Sequence, residues 1–135
     1  KPWVLPSAAL ESAALVIAHE GPALAERTAR AIYDPHRPGW FATPQGRARA
    51  VQWLDAFGAA LGAGASRESI EATVAYAEAA VLGGASAAEC SRFFGQFTTI
   101  AMHELVRVRA SADEVRALQR LTSAAVEAFL ERLTQ

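Results

Sequence analysis

The stretch Ser86–Arg109, SAAECSRFFGQFTTIAMHELVRVR, decides how the whole chain is read. Phe93, Phe94, Phe97, Ile100, Ala101, Leu105 and Val108 recur at separations of three and four, so on a helix they share one wide arc, whereas a strand would alternate apolar and polar positions. Met102 and Val106 fall nearly opposite that arc. A helix that is apolar on two sides is either central in a bundle or faces a partner chain.

Working outward, Ser86-Ala-Ala-Glu89 is a capping box that opens this helix, and Ser111-Ala-Asp-Glu114 is a second box that opens the last one. The last helix carries Val115, Leu118, Thr122, Ala125, Phe129 and Leu133 on one face and can run on past Gln135. Upstream, Ser66 is expected to cap a helix bearing Ile70, Val74, Ala77 and Val81, stopped by Gly83-Gly84. Before that, Thr43 caps a helix with Pro44 in its first turn and a stripe of Val51, Leu54, Phe57 and Leu61, ended by Gly62 and Gly64. The segment Asp34–Thr43, with two prolines and a glycine, reads as the one substantial loop, tacked onto the bundle by Trp40 and Phe41. The first helix is expected to start at Ser7 and bury Leu10, Ala14 and Ile17. Gly21-Pro22 should break it, with a second helix running from Pro22 through Leu24, Thr28 and Ile32 to about Tyr33. The sum is an all-α, antiparallel bundle of about six helices, with residues 1–135 forming a single domain.

With 135 residues, 52% of them hydrophobic, the chain can bury one real core. The 13 Lys and Arg nearly cancel the 14 Asp and Glu, so no overall field would draw nucleic acid or a membrane surface. The longest apolar run, Ala13–Ala18, falls far short of the roughly 20 residues of a membrane span. The lone Cys90 permits no internal disulfide, no cluster of Cys and His suggests a metal, and a cytoplasmic setting is expected. A start at Lys1 suggests a fragment of a longer protein. The one charge asymmetry is a run of five arginines, Arg27, Arg30, Arg37, Arg47 and Arg49, which reads as a solvated face or as a patch for an anion or acidic partner.

No phosphate loop, nucleophile elbow or paired carboxylates can be assembled, so no catalytic residue and no cofactor are assigned. Glu104 is the most informative polar position: it projects into the apolar stripe of Cys90, Phe97, Ala101 and Val108. It must therefore pair with Arg107 or Arg109, or the helix must turn toward solvent there. Phe93, Phe94, Phe97, Trp53, Met102, Glu104 and Cys90 are the candidates for a ligand pocket or a partner interface. Cys90 reads more simply as an inert core thiol. His19, His36 and His103 are scattered over three segments. A haem globin needs two long helices after its proximal histidine, and His103 is followed by one, which disfavours a cofactor-binding globin.

His19-Glu20 and His103-Glu104-Leu105 resemble the His-Glu dipeptide at the phosphorylated histidine of sensor kinases, where a carboxylate assists the imidazole. This keeps a phosphotransfer or kinase-dimerisation domain, with His103 or His19 as phosphoacceptor, as the alternative function. A wider resemblance covers Glu68–Leu105: a helix, Gly84, the small residue Ser86 and the acid Glu89, then the aromatic Phe93–Phe97 cluster ending in Glu104-Leu105. This pattern is similar to the N-terminal sensory domains of RsbR-type stress regulators and related bacterial sensor kinases. The family's arginine ahead of the glycine is replaced here by Ala79–Leu82. The resemblance implies a globin-like bundle without haem that forms a homodimer, sits upstream of an output domain and serves as a non-catalytic signal input, through a partner or a small ligand.

Overall fold

Every helix start leaves backbone N–H groups that need acceptors, and the chain supplies one at each start that a cap residue marks. The computed structural model describes residues 8–134, so the expected start at Ser7 lies outside the described residues. The helices are α1 (Glu11–Ile32), α2 (Pro44–Gly62), α3 (Ser66–Leu82), α4 (Ala87–Arg107) and α5 (Ala112–Leu133), with a 3-10 turn at Trp40–Ala42. Thr43, Ser86 and Ser111 each accept a hydrogen bond from the third residue beyond them, as their position before a helical run requires. Ser66 is instead the first residue of α3, and Ala65 holds the cap position.

The expected break at Gly21-Pro22 does not occur, and this turns six helices into five. Pro22 sits inside α1, where it withholds a donor from the carbonyl of Ala18. Both residues are exposed, so water can take that carbonyl. Val16 and Ile17 before the proline, and Leu24, Ala25, Thr28 and Ala29 after it, are buried on the same face. Their burial outweighs the local proline penalty of about 3 kcal/mol.

The helices close a ring in the order α1, α2, α3, α5, α4, each packed on its neighbours in that order, while the consecutive pair α3 and α4 make few contacts. The core is continuous around Leu24, Leu54, Phe57, Val74, Phe97 and Leu118. On α2 the buried face is turned by one residue from the expected stripe. Ala50 and Trp53 join Leu54, Phe57 and Leu61 inside, and Val51 is exposed.

At the centre the Trp53 ring stacks on Tyr76 at 5.3 Å and meets Phe97 edge-on at 4.8 Å. Its Nε1 donates to Thr73 Oγ1 at 3.0 Å, and the Tyr76 hydroxyl donates to the Gly46 carbonyl at 3.1 Å, so both buried polar tips are satisfied. Trp40 and Phe41 do fasten the loop. Both are buried, Phe41 stacks on Phe93 at 4.3 Å, and the Trp40 amide donates to the Glu89 carboxylate at 3.2 Å. Gly46 is needed beneath this turn, because a Cβ there would collide with the Trp40 carbonyl. Among the described residues no helix is long and apolar enough to cross a membrane.

Candidate functional site

The surface that α4 leaves uncovered by its neighbours is where recognition can occur. Four residues, Val108 to Ser111, separate α4 from α5, so the two helices run as an antiparallel hairpin. On the outer side of that hairpin lies an open groove of about 820 Å3. Phe94, Met102, Val126 and Leu130 give it an apolar floor, and His103, Gln119, Ser123 and Glu131 stand along its edges. Thr98 donates its hydroxyl to the Phe94 carbonyl at 2.7 Å, and Thr99 donates to the Gly95 carbonyl at 3.2 Å. These hydroxyls are thereby committed to the helix's own backbone. Gly95 lines the groove, and a Cβ built on it would meet nothing within 4 Å among the described residues.

The candidate residues named from the sequence are divided by the fold. Trp53, Phe93, Phe94 and Phe97 do come together, as one interlocked aromatic cluster with Trp53 at its hub. Cys90 is fully buried beside it, with its Sγ 3.9 Å from the Ala77 carbonyl. Burial, and then the neighbouring Glu89 carboxylate, push the Cys90 thiol up to about 11, so it is a protonated core thiol at neutral pH. Burial likewise raises the Tyr76 phenol, with Cys90 adding to the effect. Met102 is half-buried on the groove side, away from that cluster except where Phe94 reaches both.

Glu104 faces α1, and both elements of its reading hold together: it is buried, with 8% of its surface exposed, and it is paired. Its Oε1 accepts from Arg107 Nη2 at 2.8 Å and Nε at 3.0 Å, and its Oε2 lies 3.5 Å from Arg27 Nη1. The hydrogen bond from Arg107 holds the carboxyl below its ordinary value. Burial opposes this, and the charge of Arg107 together with Arg27 adds to the lowering. Arg107 also reaches Glu20 at 3.2 Å, and its own pKa is raised by Glu104 first and then by Glu20. One arginine thus holds the carboxylates of both His-Glu dipeptides. His103 stands exposed at the groove and His19 stands exposed on α1.

The sequence offered Arg107 or Arg109 for Glu104, and the partner is Arg107. Arg27 was missed because 77 residues separate it from its partner. Gly95 was also missed, since a lone glycine in a helical pattern carries no sign of which side faces outward. Val106, with 64% of its surface exposed, shows that the second apolar side of α4 is open to solvent in the single chain. Among the described residues no three His, Cys, Asp or Glu side chains gather as metal ligands. No protein-family model matches the chain, and neither a curated protein nor a solved structure matches it.

Proposed function

We propose that the chain is a non-catalytic signal-input domain of a bacterial signalling protein, globin-like and without haem. It works as a homodimer that packs α4 and α5 of two copies groove to groove and relays changes in that packing to an output module. The observation that carries this reading is Gly95. A glycine inside a helix costs about 1 kcal/mol relative to alanine, and among the described residues nothing comes near enough to require it. A second helix laid against the groove supplies the reason, since only glycine lets two backbones approach so closely there.

The occupant is a second copy because the groove carries a carboxylate at one end and, at the other, an imidazole whose N–H can donate to it. Glu131 lies at the end formed by Ser91 and Leu130, and His103 lies at the other end, beside Gln119. A two-fold axis near Thr99 places each acidic end over His103 of the partner subunit, and it covers Val106 and Leu130 in the same step. The phosphotransfer alternative needs a carboxylate free to assist His103 or His19, and Arg107 occupies both neighbouring carboxylates.

Equilibrium sedimentation of the wild type beside Gly95→Arg tests the reading. The arginine has open space in the single chain, so helical content should be unchanged while the wild-type dimer becomes a monomer. A wild type that stays monomeric at high concentration, or a dimer untouched by the substitution, overturns it.

A further inference from the structure

On the opposite side of the bundle from the groove, α1 and α2 part to leave a cleft of about 180 Å3 that reaches the aromatic cluster. Phe41, Tyr76 and Phe93 form its floor, and the Tyr76 hydroxyl is already committed to the Gly46 carbonyl, so the floor is apolar throughout. Its walls are Ala25, Ala29 and Ala50, short side chains at inward positions where any larger apolar residue would fill the space. An apolar cavity of about 150 Å3 is known to stay dry and to hold a benzene ring, so this one has the capacity for a single six-membered ring.

The mouth is charged. Arg47 of α2 reaches across to Glu26 of α1 at 2.6 Å, and Arg30 approaches the same carboxylate at 3.6 Å. Two guanidinium groups share one carboxylate, leaving a net positive charge over an apolar chamber. Both arginines are well exposed, so the pair is weak and Arg47 can exchange Glu26 for another carboxylate while Arg30 keeps it. A guanidinium also offers a planar fork that holds a carboxylate through two parallel bonds. This gives two of the arginines in the Arg27–Arg49 run a specific task.

We infer that the cleft beneath the Glu26–Arg47 pair binds a small aromatic carboxylate, with its ring among Ala25, Ala29 and Ala50, reaching the edge of the Phe41–Phe93 stack, and its carboxylate on Arg47. The site is separate from the α4–α5 groove and does not depend on whether the chain dimerises.

Nuclear magnetic resonance titration with phenylacetate tests this, using toluene and acetate as the ring-only and charge-only probes. Phenylacetate should saturably shift the resonances of Ala25, Ala29, Ala50 and Phe93, and acetate should not. Arg47→Gln, a change at a half-exposed side chain that leaves the core intact, should weaken phenylacetate about tenfold and leave toluene unchanged. Ala29→Leu should abolish the binding of both rings. If that variant does not fold, Arg47→Gln decides alone. No shift at these residues with phenylacetate, or equal phenylacetate affinity in the wild type and Arg47→Gln, overturns the inference.

Discussion

A carboxylate set among Phe97, Ala101 and Leu105 needs cations in reach, and Glu104 has Arg107 and Arg27. Because its folded pKa lies below the ordinary 4.5, the unfolded chain binds the proton more readily. Its stabilisation is therefore complete at neutral pH and is lost as pH falls from about 4.5 through the lower folded value. Glu104→Gln should cost about 1 kcal/mol at pH 7, a modest figure because both arginines are half-exposed. In urea denaturation, wild type and variant should converge as the pH drops below 4. A difference that persists at pH 2 would show that packing, not charge, holds the residue. Arg109 presents the opposite case, a residue whose strain the sequence conceals. It takes φ 62° just past α4, where the amide of Ala110 closes onto the Leu105 carbonyl at 2.9 Å. That left-handed position suits glycine, so Arg109→Gly should raise stability by about 1 kcal/mol in thermal melts. The sequence marks helix stops by glycine at Gly64 and Gly84, and here the same turn is made without one.

At the scale of the element, the two capping boxes were legible as boundaries and illegible as contacts. Ser86 and Ser111 accept from the amides of Glu89 and Glu114 as expected. The two glutamate carboxylates, however, each serve another element: Glu89 takes the Trp40 amide of the 3-10 turn, and Glu114 takes the Ala13 amide of α1 at 2.8 Å. The start of α1 has no side-chain cap of its own, since Leu10 holds the cap position. The carboxylate of α5 fills that place across 101 residues and lies where the helix dipole favours it. Glu114→Ala should therefore cost about 1 kcal/mol and speed hydrogen exchange at Ala13 and its neighbours in α1. Ser111→Ala should loosen the start of α5 instead. Equal exchange in α1 for both variants would contradict the shared cap. The unbroken α1 has the same cause as these long-range caps. Gly21-Pro22 is a true local break signal, and burial on both sides of it, invisible to a local reading, prevails.

For the molecule as a whole, the helical class followed from periodicity alone, because residues such as Phe93, Phe97, Ala101 and Leu105 can share a face only on a helix. The ring order did not follow, because it depends on which faces meet. Trp53, Tyr76 and Phe93 come from three different helices and give no sequence sign that they will touch. The groove lay half within reach: Met102 was legible on the second apolar side of α4, whereas the contribution of α5 through Val126 and Leu130 was not. The central claim is that this hairpin face meets its own copy. Isotope-filtered nuclear Overhauser spectroscopy on a mixture of labelled and unlabelled protein observes that contact directly, because Thr99, Met102, Val126 and Leu130 all carry methyl groups in the groove. The account predicts inter-protomer signals among these methyls and from Met102 to the Cα protons of Gly95. Their absence at concentrations where a dimer is present, or signals confined to α1 and α2, would contradict it.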